Sequence, residues 1–248
     1  MRAVPSVMES MQKLHIITPV KDSIDTTLET ARAILDSSLS VPFNYAIYND
    51  FSTPENTERL RKASVEMGFR LINLSDLTTH PSPNYLLVLQ KERKECLQED
   101  AGLLIVESDV VVRKDTLQGL WEGAQAHPEA GILASATVDE EGNINYPYLF
   151  LKGKENQVID SQKHCSFCCS LLTTKLFQTV DFDLLDSGKN WFDVTISHLS
   201  MKGGLHNYIF TTLPVLHRPH TSRPWKQLKY KNPLKYYWLK FTKGFDKI

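Results

Sequence analysis

The sequence has no apolar run long enough to span a bilayer, which excludes a transmembrane helix read from hydropathy. Its first residues, "MRAVPSVMESMQK", have no hydrophobic centre of the kind a secretory signal peptide needs. A cytoplasmic protein is therefore expected. Cysteine is scarce, with four in 248 residues, namely Cys96, Cys165, Cys168 and Cys169. The "HCSFCC" cluster has no partner pair elsewhere at zinc-site spacing, so reduced, packed thiols are expected rather than a disulfide framework or a structural zinc site. Glycine is sparse where it would matter most for nucleotide binding. The first strand-to-helix turn, "TPVKDSID", has no glycine-rich phosphate loop, which argues against a dehydrogenase, a kinase or a nucleotidyltransferase. Neither internal repeats nor low-complexity tracts occur.

Acid is nearly missing from one end. From Arg218 onward there are two Arg and seven Lys against Asp246 alone, a balance of +8, so residues 1–217 carry -9 of the chain's total of -1. The acidic body opposes nucleic-acid binding. The chain divides accordingly into a body, 1–217, and a basic aromatic tail, 218–248.

What is present is an alternation of two periodicities. "LHIITPV", "FNYAIY", "FRLINL" and "LLIVE" have strand character, and they are separated by segments with helical spacing such as Ile24, Leu28, Ala31, Ile34 and Leu35. "STPENTERLRKASVEMG" carries both ends of a helix: Ser52 or Thr53 as cap, Pro54 in the first turn and Gly68 as stop. This order predicts a mainly parallel α/β sheet with helices on both faces. The second half is less regular, with strands at "ILASATV" and "SFCCSLLTT", a hairpin through "DEEGN" into "INYPYLFLKG", a helix over "NWFDVTISHLSMKGG" and a last strand "LHNYIFTTLPVLH".

Ligands of such sheets bind beyond the carboxyl ends of the strands. Three polar clusters fall there: Thr18 and Pro19, Asn49 and Asp50, Glu107 and Asp109. In "LLIVESDVVV" an extended chain would project Glu107 and Asp109 to the same side, where two carboxylates need a proton or a cation between them. The plainer alternative is a strand ending at Val106 and a solvated acidic turn.

Taken in order, these stretches resemble the GT-A glycosyltransferases, in particular the large family 2 of inverting, nucleotide-sugar-dependent enzymes. The likeness runs from about Leu14 to His217. "IITPVKDS" is similar to the family's opening strand and turn, "AIYNDFS" to its Asp-Asp-Gly-Ser stretch, "ESDVVV" to its Asp-x-Asp metal motif, and "WFDVTIS" to its acidic catalytic motif. Asn49 and Phe51 depart from the second of these, Glu107 from the third, and Phe192 stands where an acid often precedes the catalytic Asp. The resemblance implies a Rossmann-like GT-A sheet with a smaller antiparallel acceptor-side part, and an enzyme that moves a sugar from a nucleotide-diphosphate donor, a UDP-sugar first of all, with inversion. It implies nucleotide contacts from Thr18, Pro19, Asn49, Asp50 and Glu107, and Mn²⁺ or Mg²⁺ held by Asp109 and His217, with His220 a weaker candidate. Asp193 would be the catalytic base, and the acceptor a glycan or lipid-linked hydroxyl, as in polysaccharide biosynthesis at the cell envelope. The alternative is a catalytically silent module that binds nucleotide sugars. The tail's aromatics, among them Trp225, Tyr230, Tyr236, Trp238 and Phe241, either fold back on the domain, join two copies, or meet an anionic membrane surface peripherally. Pro233 limits any helix there.

Overall fold

The computed structural model describes residues 11–188, 191–218 and 232–243. Calls that fall on other residues, including His220, Trp225 and Tyr230, lie outside the described residues.

The chain begins with the alternation its periodicity predicts: β1 (Lys13–Val20), α1 (Ile24–Leu35), β2 (Phe43–Asn49), α2 (Pro54–Met67), β3 (Arg70–Asn73), α3 (Tyr85–Glu99) and β4 (Ala101–Val106). There follow β5 (Val110–Val111), α4 (Thr116–Ala126), β6 (Ala130–Val138), β7 (Val158–Asp160), β8 (Cys169–Leu172), α5 (Thr174–Thr179), α6 (Phe192–Lys202), β9 (His206–His217) and α7 (Pro233–Lys243). Among the described residues nine strands form one sheet in the order β3-β2-β1-β4-β8-β6-β9-β5, with β7 on β9. β1 is parallel to β2 and β4, β2 to β3, and β6 to β9, whereas β8 runs antiparallel between β4 and β6. The sheet is thus mostly parallel in direction, with β5, β7 and β8 reversed, as the fold class expected.

β4 shows why the sheet holds. Its residues Leu103, Leu104, Ile105 and Val106 are all fully buried. Leu103 and Ile105 join the core on one face, with Val88, Leu89, Ile132 and Phe177, while Leu104 and Val106 join the other, with Ile16, Leu60, Leu120 and Leu133. A strand covered on both sides reads as a continuous apolar run.

α2 illustrates how local signals set element ends. Thr53 accepts from the Asn56 backbone N–H at 3.3 Å, Pro54 occupies the first turn, and Gly68 stops the helix in the left-handed region at φ +81°. Asp22, itself at φ 59°, accepts from the Thr53 N–H and the Asn56 amide at 2.8 and 3.1 Å, tying the β1–α1 turn to the start of α2. The Thr53 N–H in particular holds the Asp22 carboxyl below its usual range.

One expectation holds only in part and another fails. "DEEGN" makes a tight turn, with Gly142 N–H on the Asp139 carbonyl at 3.0 Å, but only the bridge Val138–Ile144 continues it. "INYPYLFLKG" is not a strand, because the chain leaves through Tyr146–Pro147 and a 3-10 turn at Leu149–Leu151. β5 and β7, of two and three residues, carry no periodic signal and exist because β9 is long enough to pair with both.

Candidate functional site

The acidic motif is not a strand. β4 stops at Val106, and the chain turns through Glu107–Ser108–Asp109, closed by the Val110 N–H on the Glu107 carbonyl at 3.1 Å. The extended pleat expected for Glu107 and Asp109 is therefore corrected. The β4 ladder ends as the Glu107 N–H reaches the Cys168 carbonyl at 2.9 Å, and the chain is then drawn into a second ladder, Val110 opposite His217 on β9. Nor is the turn solvated, since Asp109 is 7% exposed and Ser108 9%.

This pairing brings the distant His217 to the motif. Its Nε2 lies 3.5 Å from Asp109 Oδ2, and its Nδ1 is 2.9 Å from the Tyr146 carbonyl. The Nδ1–H donates there, which turns Nε2 toward the acids, the orientation found where a second partner fixes a metal-binding imidazole. Burial alone would lower the His217 pKa, but the Asp109 hydrogen bond and the charges of Asp109 and Glu107 outweigh it and raise it. Cys168 closes the group. Its thiol donates to Glu107 Oε2 at 3.3 Å, and donor atoms of Glu107, Cys168 and His217 all lie within 4.8 Å of one another. Buried and next to Glu107, Cys168 has a pKa well above the usual thiol value, so it stays protonated and donates. The oxygen and imidazole donors that remain, Asp109, Glu107 and His217, suit a hard divalent cation.

Asp193 stands in the first turn of α6 and accepts from the Val194 N–H at 2.9 Å. It is half-buried there. Its charge acts on Tyr85, Tyr148 and Cys165, all in the interior. Tyr85 connects the two acidic groups. It opens α3, packs its ring on Phe192 at 6.4 Å, and carries a buried hydroxyl with no hydrogen-bond partner among the described residues. Burial, then the charges of Glu107 and Asp193, push its pKa well above the usual value. One phenol thus feels the charges of both Glu107 and Asp193. Sequence reasoning did not single out Tyr85, because a Tyr at a helix start carries no functional signature, and it read Cys168 only as a packed thiol of the "HCSFCC" cluster, whereas it lies in the turn before β8.

The remaining candidates are placed at the carboxyl rim but are largely engaged with the protein. Thr18 is fully buried, its hydroxyl 3.0 Å from that of Tyr45. Pro19 beside it is half-buried. Asn49 donates to Thr57 and Asn73 at 3.0 Å each and accepts from the Ser52 N–H at 3.2 Å, so it braces the β2–α2 turn. Asp50 accepts from Ser82 and from the Asn84 backbone and side chain at 2.7–2.9 Å, which pins the loop leading into α3 and Tyr85.

Compared by sequence, the chain matches no family model and no curated protein. Compared by structure, it is similar to residues 1–349 of TarS from S. aureus, with a TM-score of 0.59 at 15% identity over 88% of this chain and 64% of that one. The complex of the same fragment with UDP-GlcNAc gives 0.57, over 84% and 59%. A mannosyltransferase from Pyrobaculum calidifontis, PcManGT in complex with GDP-Man and Mn²⁺, gives 0.59 at 12% identity, over 91% and 63%. The chain has a glycosyltransferase fold of the GT-A type. It spans less than two-thirds of the length of these neighbours. Within that glycosyltransferase fold, Glu107, Asp109 and His217 gather where β4 ends and β5 meets β9. Among the described residues, no helix is long and apolar enough to cross a membrane.

Proposed function

We propose that the protein is an inverting glycosyltransferase that moves a sugar from a nucleoside diphosphate donor, a UDP-sugar, to a hydroxyl of a glycan or lipid-linked acceptor. The observation that carries this reading is the buried approach of His217 Nε2 to Asp109 Oδ2, with Asp193 and Glu107 acting on one shared phenol, Tyr85.

Asp109 and His217 would hold Mn²⁺ or Mg²⁺, which when bound neutralises charge on the departing diphosphate. Glu107, on a longer arm and hydrogen-bonded by Cys168, is assigned to the ribose or to water around that ion. Thr18, Pro19, Asn49 and Asp50 form the rim for the nucleotide. Since Asn49 and Asp50 already hold their own loops, their part is to keep the rim rigid rather than to supply free ligand atoms. Asp193 takes the acceptor's hydroxyl proton as the acceptor oxygen attacks the anomeric carbon. The bond from that carbon to the diphosphate breaks, and its electron pair leaves with the diphosphate. Tyr85, held neutral and with its hydroxyl unused by the protein, would be able to donate a hydrogen bond to a bound substrate.

A second reading, a binder without transfer, is favoured by the same engagement of Asn49 and Asp50. Release of nucleoside diphosphate from a panel of UDP-, GDP- and dTDP-sugars with Mn²⁺ separates the two. Slow hydrolysis of one donor is expected, and binding with no hydrolysis across the panel would leave the silent module.

A further inference from the structure

The described residues expose nine large hydrophobic side chains. Five are scattered singly over the body, and four (Leu234, Tyr237, Trp238 and Phe241) belong to α7 alone. Single exposed hydrophobes are ordinary, whereas a contiguous group marks a contact surface. At 100° per residue these four span one arc of about 100° on the helix. Leu234 is 86% exposed, Trp238 64% and Phe241 91%. The opposite side of α7 is withdrawn from solvent, with Tyr236 only 4% exposed and Leu239 half-buried. Pro233 starts this helix rather than breaking it. Asn232 caps it by accepting from the Lys235 N–H at 3.1 Å, and its carbonyl accepts from the Tyr236 N–H at 3.0 Å. One side of the helix is thus buried and the other faces solvent.

We propose that α7 is a docking helix for anionic lipid bilayers, with Leu234, Tyr237, Trp238 and Phe241 entering the headgroup–acyl boundary and the flanking lysines meeting lipid phosphates. Three observations favour lipid over protein. Lys235 is exposed at the border of the apolar arc, and Lys240 falls at its other border by helical spacing, as an interfacial helix requires. The region from Arg218 onward carries +8, matched to a negative surface, where each added Lys strengthens attachment. A two-fold contact between copies would set two such basic helices against each other. The helix has 11 residues, too short to span, so it lies in the surface plane. This proposal does not rest on the transfer reaction.

The test is co-sedimentation of the full chain at low salt with phosphatidylcholine vesicles, with or without about one-third phosphatidylglycerol. Binding is expected only to the anionic vesicles. The double variant Trp238→Ser/Phe241→Ser should bind at least about tenfold more weakly, and Lys235→Glu several-fold more weakly. Both alter exposed side chains and should leave the urea midpoint unchanged. Three results would overturn the proposal: no binding to anionic vesicles, equal binding by the double variant, or lipid-free self-association that the double variant abolishes, which would give the face to a second copy.

Discussion

Asp109 and Glu107 stand two residues apart and differ in what surrounds them. Asp109 is nearly sealed against His217, while Glu107 is partly open and held by a thiol. Asp109→Ala is expected to abolish the Mn²⁺ enhancement of nucleotide binding in calorimetric titration, a loss of at least about tenfold; Glu107→Ala should keep part of it. Undiminished enhancement in Asp109→Ala would remove the metal assignment. Asp193→Asn retains shape and loses basicity, so donor affinity should hold while transfer falls about 10²–10⁴-fold. Outside the site, His15 Nδ1 lies 2.9 Å from Glu92 and Nε2 3.2 Å from Glu99, with Tyr48 also donating to Glu92 and Lys13 to Glu99. The Glu92 hydrogen bond, against the opposing effect of burial and helped by the Glu92 and Glu99 charges, raises the His15 pKa above its usual 6.5. A raised folded pKa contributes stability that is complete below the unfolded value and lost as pH rises through the folded one. Urea midpoints should therefore fall as the pH rises above the ordinary histidine value of 6.5, and fall less in His15→Gln.

At the scale of elements, α2 is set by its two ends. Thr53→Ala removes the cap and should cost about 1 kcal/mol. Gly68→Ala meets no atom within 4 Å but must hold φ +81°, for about 1 kcal/mol more. Fourteen residues separate the ends, so the two losses should add in chemical denaturation with an unchanged slope. These ends were legible because capping is local chemistry. β5 was not legible, since two valines after an acidic turn pair only because β9 passes beside them. The same contact decided the site: "ESDVVV" read alone suggested a pleated pair, and the pairing of Val110 with His217 made it a turn facing an imidazole.

For the whole molecule, a ligand that binds only the folded state raises its stability by mass action. Nucleotide with Mn²⁺ at 100 times the dissociation constant should add about 2.7 kcal/mol. For a chain of this size that corresponds to a melting shift of about 5–11 °C. Either component alone should give a smaller shift, and His217→Ala should lose the difference between the pair and the nucleotide alone.

By itself the sequence determined the parallel α/β half, because strand and helix periodicities, caps and a doubly buried β4 are written in neighbouring residues. It also determined the order of the acidic motifs and the division of charge between body and tail. Only the tertiary structure decided which donors meet. His217 is 108 positions from Asp109, so their meeting at 3.5 Å depends on sheet order and strand register. It decided as well that Asn49 and Asp50 brace loops, and that α7 has two apolar sides. Local periodicity records which residues avoid water, but which surface removes them from it depends on what the rest of the chain places alongside.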